Sequence, residues 1–138
     1  MADVKYMILT YASQRDYDAM AGKPTETEWA GEDFAAMHAF MTKFNRELEE
    51  SGELVETRGL DAPVHTRRVG GAPGLVTDGP YAETQEVLAG YWIVECESFD
   101  RATQVAARLG ECPAPPGAAA TAYADVRPIV ESSADLGF

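Results

Sequence analysis

The amino-acid sequence predicts an α+β domain whose core elements run β-α-β-β-α-β, and three observations predict it. Its 138 residues, 46% hydrophobic and 25% charged, suit one domain with one core. Apolar residues recurring at spacings of three and four from Phe34 to Leu48 mark a helix with a single buried stripe. Short β-rich segments lie before, between and after this helix and a second, shorter helical stretch.

The elements follow in order. Val4 to Tyr11 is β-rich, with Tyr6 and Ile8 on one face and Met7 and Leu9 on the other. Both faces are apolar, so the segment reads as a central strand covered on both sides. A polar stretch through Gly22-Lys23-Pro24 reads as a connection. The helix stripe is Phe34, Met37, Met41, Phe44 and Leu48. Glu28, Glu32 and Asp33 lie towards its start, where negative charge favours the helix dipole, and Ser51-Gly52 supplies the stop. Leu54 to Arg58 forms a second strand. Val64 to Val69 and Leu75 to Thr77 read as a hairpin folded over Gly70-Gly71. After an Asp78-Gly79-Pro80-Tyr81 turn, Gly90 to Glu97 is a strand with Trp92, Val94 and Cys96 on its apolar face. Ser98 caps a short helix with Ala102, Val105, Ala106 and Leu109 inward, and Gly110 closes it. Cys112 to Ala120 reads as a loop and Ala122 to Val130 as the last strand. The tail from Glu131 is expected to fray. With the hairpin set aside as an insertion, this is the split βαβ, or ferredoxin-like, arrangement: an antiparallel sheet with two helices on one face. Residues 1–138 are expected to form one unit with an ordered core of about 4–130, since no linker or internal repeat divides them.

Charge narrows the function. Eleven basic residues stand against 23 acidic ones, a net charge of -12. Docking on nucleic acid or an anionic membrane needs clustered Lys and Arg, and here only Arg67-Arg68 are adjacent. Direct nucleic-acid binding and membrane association are not expected. No apolar run approaches the roughly 20 residues that span a bilayer. The start, Met1-Ala2-Asp3-Val4-Lys5, lacks the basic region of a secretory leader. Cys96 and Cys112 are too far apart for a CxxC unit. They read as reduced thiols of a cytoplasmic protein without metal or cofactor.

Two helices cover one side of a four-stranded sheet, yet the first strand is apolar on both. Leaving the second side wet costs about 25 cal/mol per Å² of apolar surface, so pairing with a second copy, sheet to sheet, is expected. Polar and aromatic groups gather on that same side: Tyr91, Ile93 and Glu95 from one strand, and Tyr123, Asp125, Arg127 and Ile129 from the last. Apolar walls with a few placed charges suit a small ligand, with Arg127 orienting an anionic or polarised group. Cross-strand ion pairing among Asp125, Arg127 and Glu95 is the alternative duty.

Beyond these periodicities, Val76-Thr77-Asp78-Gly79-Pro80-Tyr81-Ala82-Glu83-Thr84-Gln85-Glu86 resembles the signature of DGPF-type proteins in the YCII-related family. Tyr81 replaces the usual Phe, and Gln85 stands where Lys is frequent. Lys5-Tyr6-Met7, Gly90-Tyr91-Trp92 and Val126-Arg127-Pro128-Ile129 agree with it. The resemblance implies a homodimeric ferredoxin-like α/β barrel, and no defined activity. It also implies three contexts: a His–Asp site in some members, a connection to aromatic-ring degradation in at least one, and genes beside extracytoplasmic-function sigma factors in others.

Asp78-Gly79-Pro80 has a local rationale, because Asp bonds nearby backbone N–H groups, Gly permits positive φ and Pro fixes the next φ. A carboxylate at a cavity edge can also act as a base. His38, one position off the helix stripe, is the best local counterpart of the family histidine, and its imidazole can exchange a proton near neutral pH. His65, in the inserted hairpin, is the weaker candidate. Tyr81 and Trp29 are aromatic wall candidates. Two functions follow: a small-molecule enzyme using His38 and Asp78, or a non-enzymatic binding or regulatory partner, with a sigma factor as the suggested associate. No nucleophile-elbow, phosphate-loop or metal-spaced motif favours the first.

Overall fold

The computed structural model describes residues 3–25 and 27–137. The Met1-Ala2 part of the start lies outside them. Alternation in β1 (Val4–Ala12) decides the layout, because it sends Tyr6 and Ile8 into the core and leaves Met7 and Leu9 half-buried on the reverse side. The sheet is completed by β2 (Leu54–Gly59), β5 (Val87–Cys96) and β6 (Ala124–Pro128), in the order β2-β5-β1-β6, all antiparallel. This is the ferredoxin-like arrangement, with the first and third core strands in the centre. A separate two-stranded sheet, β3 (Arg67–Val69) and β4 (Val76–Asp78), is the expected hairpin, with the Gly70 N–H donating to the Leu75 carbonyl.

α2 (Gly31–Glu50) carries the predicted stripe, and Phe44 and Leu48 are its fully buried members. It begins where the Asp33 carboxylate accepts the Ala30 N–H, and it stops at Ser51-Gly52, with Gly52 at φ 79°, a conformation favouring glycine. α3 (Phe99–Ala107) is capped by Ser98, whose Oγ accepts the Arg101 N–H, and buries Ala102 and Val105. Both helices pack on Tyr6, Ile8, Trp92, Val94 and Cys96, which form one cluster. Phe44 meets Trp92 edge-on, and the Trp92 indole N–H donates to Asn45 Oδ1 at 2.7 Å, so the one polar atom of the ring is satisfied within the core. Arg101 closes the corner between α3 and β2 with two hydrogen bonds to Glu53, 2.8 and 2.7 Å long.

Two stretches differ from expectation, and the tail carries a local turn. The polar segment after β1 contains α1 (Gln14–Met20). It has no apolar stripe; the Ser13 hydroxyl accepts the Asp16 N–H while the Asp16 carboxylate accepts the Ser13 N–H. Long-range bonds then hold it: Val64 N–H to Gln14 Oε1, Arg15 N–H to the Glu83 carbonyl, and the Tyr17 hydroxyl to the Leu60 carbonyl. The Cys112–Ala120 stretch contains most of a short helix, α4 (Pro116–Thr121), whose Ala118 N–H is accepted by Glu28. Beyond Glu131, Ser133–Leu136 forms a 3-10 turn, with Asp135 accepting the Glu131 N–H.

Candidate functional site

Strand register assembles the reverse face of the sheet. Across the strands, Arg58, Tyr91, Leu9 and Asp125 form one row, and Glu56, Ile93, Met7 and Arg127 form the next. Lys5 faces Glu95 beyond them. Met7, Leu9 and Ile93 therefore make an apolar centre, with charged groups to either side. Glu95, Asp125 and Arg127 are exposed, and Tyr123 is 57% exposed.

Two phenol–carboxylate pairs edge this centre. The Tyr91 hydroxyl donates to Glu56 at 2.6 Å, and the Tyr11 hydroxyl donates to Asp125 at 2.7 Å. Each bond holds its phenol in the protonated form, since losing the proton would set two negative charges side by side. The hydrogen bond to Asp125, with lesser help from burial, pushes Tyr11 up to about 12, and the bond to Glu56 raises Tyr91. Tyr123 stacks on Tyr11, ring centres 5.3 Å apart. Among the described residues, no ion pair joins Asp125, Arg127 and Glu95 to one another; Asp125 takes its bond from Tyr11. Residue types alone pointed to Tyr91, Glu95, Tyr123, Asp125 and Arg127. Glu56, Arg58 and Tyr11 were missed, although strand alternation in Leu54 to Arg58 carried the signal for the first two.

The remaining candidates lie elsewhere. His38 is exposed on α2, with its own backbone carbonyl accepting the Thr42 hydroxyl. Asp78 ends β4 and forms an ion pair with Arg67, its register partner, at 3.2 Å. No hydrogen bond or ion pair joins His38 to Asp78 among the described residues. Gly79 follows at φ 54°, and its N–H donates to the Thr66 carbonyl, so this turn ties the hairpin together. Tyr81 is half-buried beneath the Arg68 guanidinium, 5.4 Å from the ring centre, and lines an open cleft with Asp61 and His65. Trp29 stacks on Phe34 with ring centres 4.8 Å apart.

No group of three or more His, Cys, Asp or Glu side chains able to hold a metal is present among the described residues. No helix among them is long and apolar enough to cross a membrane. Burial raises the Cys96 and Cys112 thiols, which makes them poorer nucleophiles.

Comparison with known proteins places the sequence in a family. An uncharacterized protein of Rhizobium meliloti (strain 1021) is 30% identical over 83 residues, covering 59% of this chain and 67% of its own length. The model of the YCII-related domain matches residues 4–131, from the first residue of β1 to just beyond β6. The chain belongs to the YCII-related family.

Proposed function

We propose that this protein binds a small molecule on the reverse face of its sheet, in a chamber closed by the same face of a second copy. The carrying observation is the composition of that face: Met7, Leu9 and Ile93 at the centre, edged by the Tyr91–Glu56 and Tyr11–Asp125 pairs and by Arg127. Met7, Leu9 and Ile93 are only half-buried in the single chain, and α2 and α3 pack on the other side of the sheet, so a second copy can complete their burial. Its charges also suit self-association. Arg58, Lys5 and Arg127 are matched by Glu56, Glu95 and Asp125, so two copies related by a two-fold axis meet without net repulsion from this face.

The pocket chemistry selects a ligand with an apolar body and one anionic or strongly polarised group. Both phenol protons are committed to carboxylates, and Arg127, like Lys5, carries no side-chain hydrogen bond or ion pair among the described residues, which makes it a free donor beside the apolar centre. Acid–base catalysis by His38 and Asp78 adds to this reading only if the second copy brings them to the chamber.

Sedimentation combined with an NMR titration using benzoate as the probe tests the proposal. The expected result is a dimer at micromolar concentration, with shifts concentrated on Met7, Leu9, Tyr91 and Arg127 and lost in Arg127→Ala. A monomer at that concentration, or shifts that leave these residues untouched, refutes it.

A further inference from the structure

Apart from the reverse face, the segment between β2 and β3 builds a second arrangement. Pro63–His65 forms a 3-10 turn that brings His65 back onto Asp61, with Nδ1 to Oδ2 at 3.0 Å. The other Asp61 oxygen, Oδ1, accepts the Ala62 N–H at 2.7 Å, so the carboxylate is fixed at both ends. That backbone bond, followed by the contact with His65, holds the Asp61 carboxyl below its usual range. A carboxylate accepting from Nδ1 sets the imidazole tautomer and leaves Nε2 as the proton acceptor. The pair borders an open cleft of about 400 Å³ with apolar walls from Leu60, Pro63, Val87 and Leu88. Tyr81 adds an aromatic wall, and Arg68 over its ring places a cation beside the cleft wall. All of these groups belong to one chain, so the site does not need a second copy, although Leu88 is the register partner of Tyr11 and the cleft adjoins one end of the reverse face.

We infer that the Asp61–His65 pair and the Tyr81 cleft form a second small-molecule site, which takes an acidic phenol or enol and accepts its proton. An apolar cleft of this volume accommodates a single ring. In the step, the ligand O–H bond breaks and the proton passes to His65 Nε2. The imidazolium formed is stabilised through Nδ1–H by Asp61. The electron pair stays on the ligand oxygen, as the phenolate or enolate. Nothing is oxidised or reduced. Asp61 is the positioning residue, and His65 is the group that touches the ligand.

The test uses para-nitrophenol, whose colour reports its ionisation, mixed with excess full-length protein below the pH at which the free phenol ionises. Phenolate absorbance is expected to rise saturably with wild type, to vanish in His65→Gln and to weaken in Asp61→Asn. Both replaced side chains are exposed, at 64% and 80%, so the fold is expected to survive. Nitrogen NMR provides a second readout: His65 carries its proton on Nδ1 in wild type, loses that preference in Asp61→Asn, and shifts at Nε2 on adding the phenol. Repeating the series in an Arg127→Ala background, where the reverse-face donor is gone, is expected to keep the His65-dependent response, which separates the site from the reverse face. Absent absorbance and NMR changes in wild type overturn the inference. So does a response that persists in His65→Gln, or one that Asp61→Asn leaves at wild-type strength.

Discussion

Replacing Leu9 by lysine probes the reverse face at its centre. Leu9 is half-buried, lies outside the cluster under the helices, and stands in register between Tyr91 and Asp125. A lysine there has Asp125 beside it within the same sheet, so the isolated chain is expected to keep its fold. In the proposed dimer the same change loses the part of the leucine burial that the second copy adds, about 0.5–1 kcal/mol, and sets a charge against an apolar face, which brings the loss to about 1.5–3 kcal/mol per copy. Two-fold symmetry imposes the loss on both copies, for a total of about 3–6 kcal/mol. That corresponds to a dimer dissociation constant raised by about two to four orders of magnitude. Sedimentation velocity across a concentration series measures it, with circular dichroism confirming that the variant is folded. A folded variant with the wild-type mass distribution would show that the two apolar centres do not meet.

Four further outcomes follow from the packed side. The Glu53–Arg101 bonds should give a coupling of about 1–2 kcal/mol in a double-mutant cycle of Glu53→Gln and Arg101→Met followed by urea unfolding; additivity would refute the pairing. These bonds hold the Glu53 carboxyl below its usual range, so the contribution is complete above the unfolded-state pKa and disappears as pH falls through the folded one. The stability gap between wild type and Arg101→Met should therefore close in acid. Asn45→Ala strands the Trp92 indole N–H and should cost about 1–3 kcal/mol, with tryptophan fluorescence following the transition. Gly90→Ala places a Cβ 3.0 Å from the Arg58 carbonyl, pushing β2 from β5 at a cost of about 1–3 kcal/mol in thermal or urea unfolding; an unchanged midpoint would mean that β2 yields freely.

Much of the scaffold was legible in the sequence because its signals are local. Tyr6 and Ile8 against Met7 and Leu9, the Phe34-to-Leu48 stripe and the Ser98 cap each state their own environment within a few residues. α1 was not legible, since Gln14, Arg15 and Tyr17 are anchored by partners 43 to 72 positions away. The reverse-face residue types were readable in part, whereas their pairing was not. Tyr11 could have bonded to any nearby acceptor; the register that sets Leu9 against Asp125 brings Asp125 within its reach.

By itself the chain's order of apolar and polar residues determined the ferredoxin-like layout, the buried helix faces and the presence of a second apolar sheet side. Only the tertiary structure decided which charges stand beside which phenols, that Asp61 grips His65, and that Tyr81 belongs to that cleft. The physical reason is range. Burial preference is written into periodicity one residue at a time, while a hydrogen bond of 2.6 or 2.7 Å depends on how strands distant in sequence are set against each other.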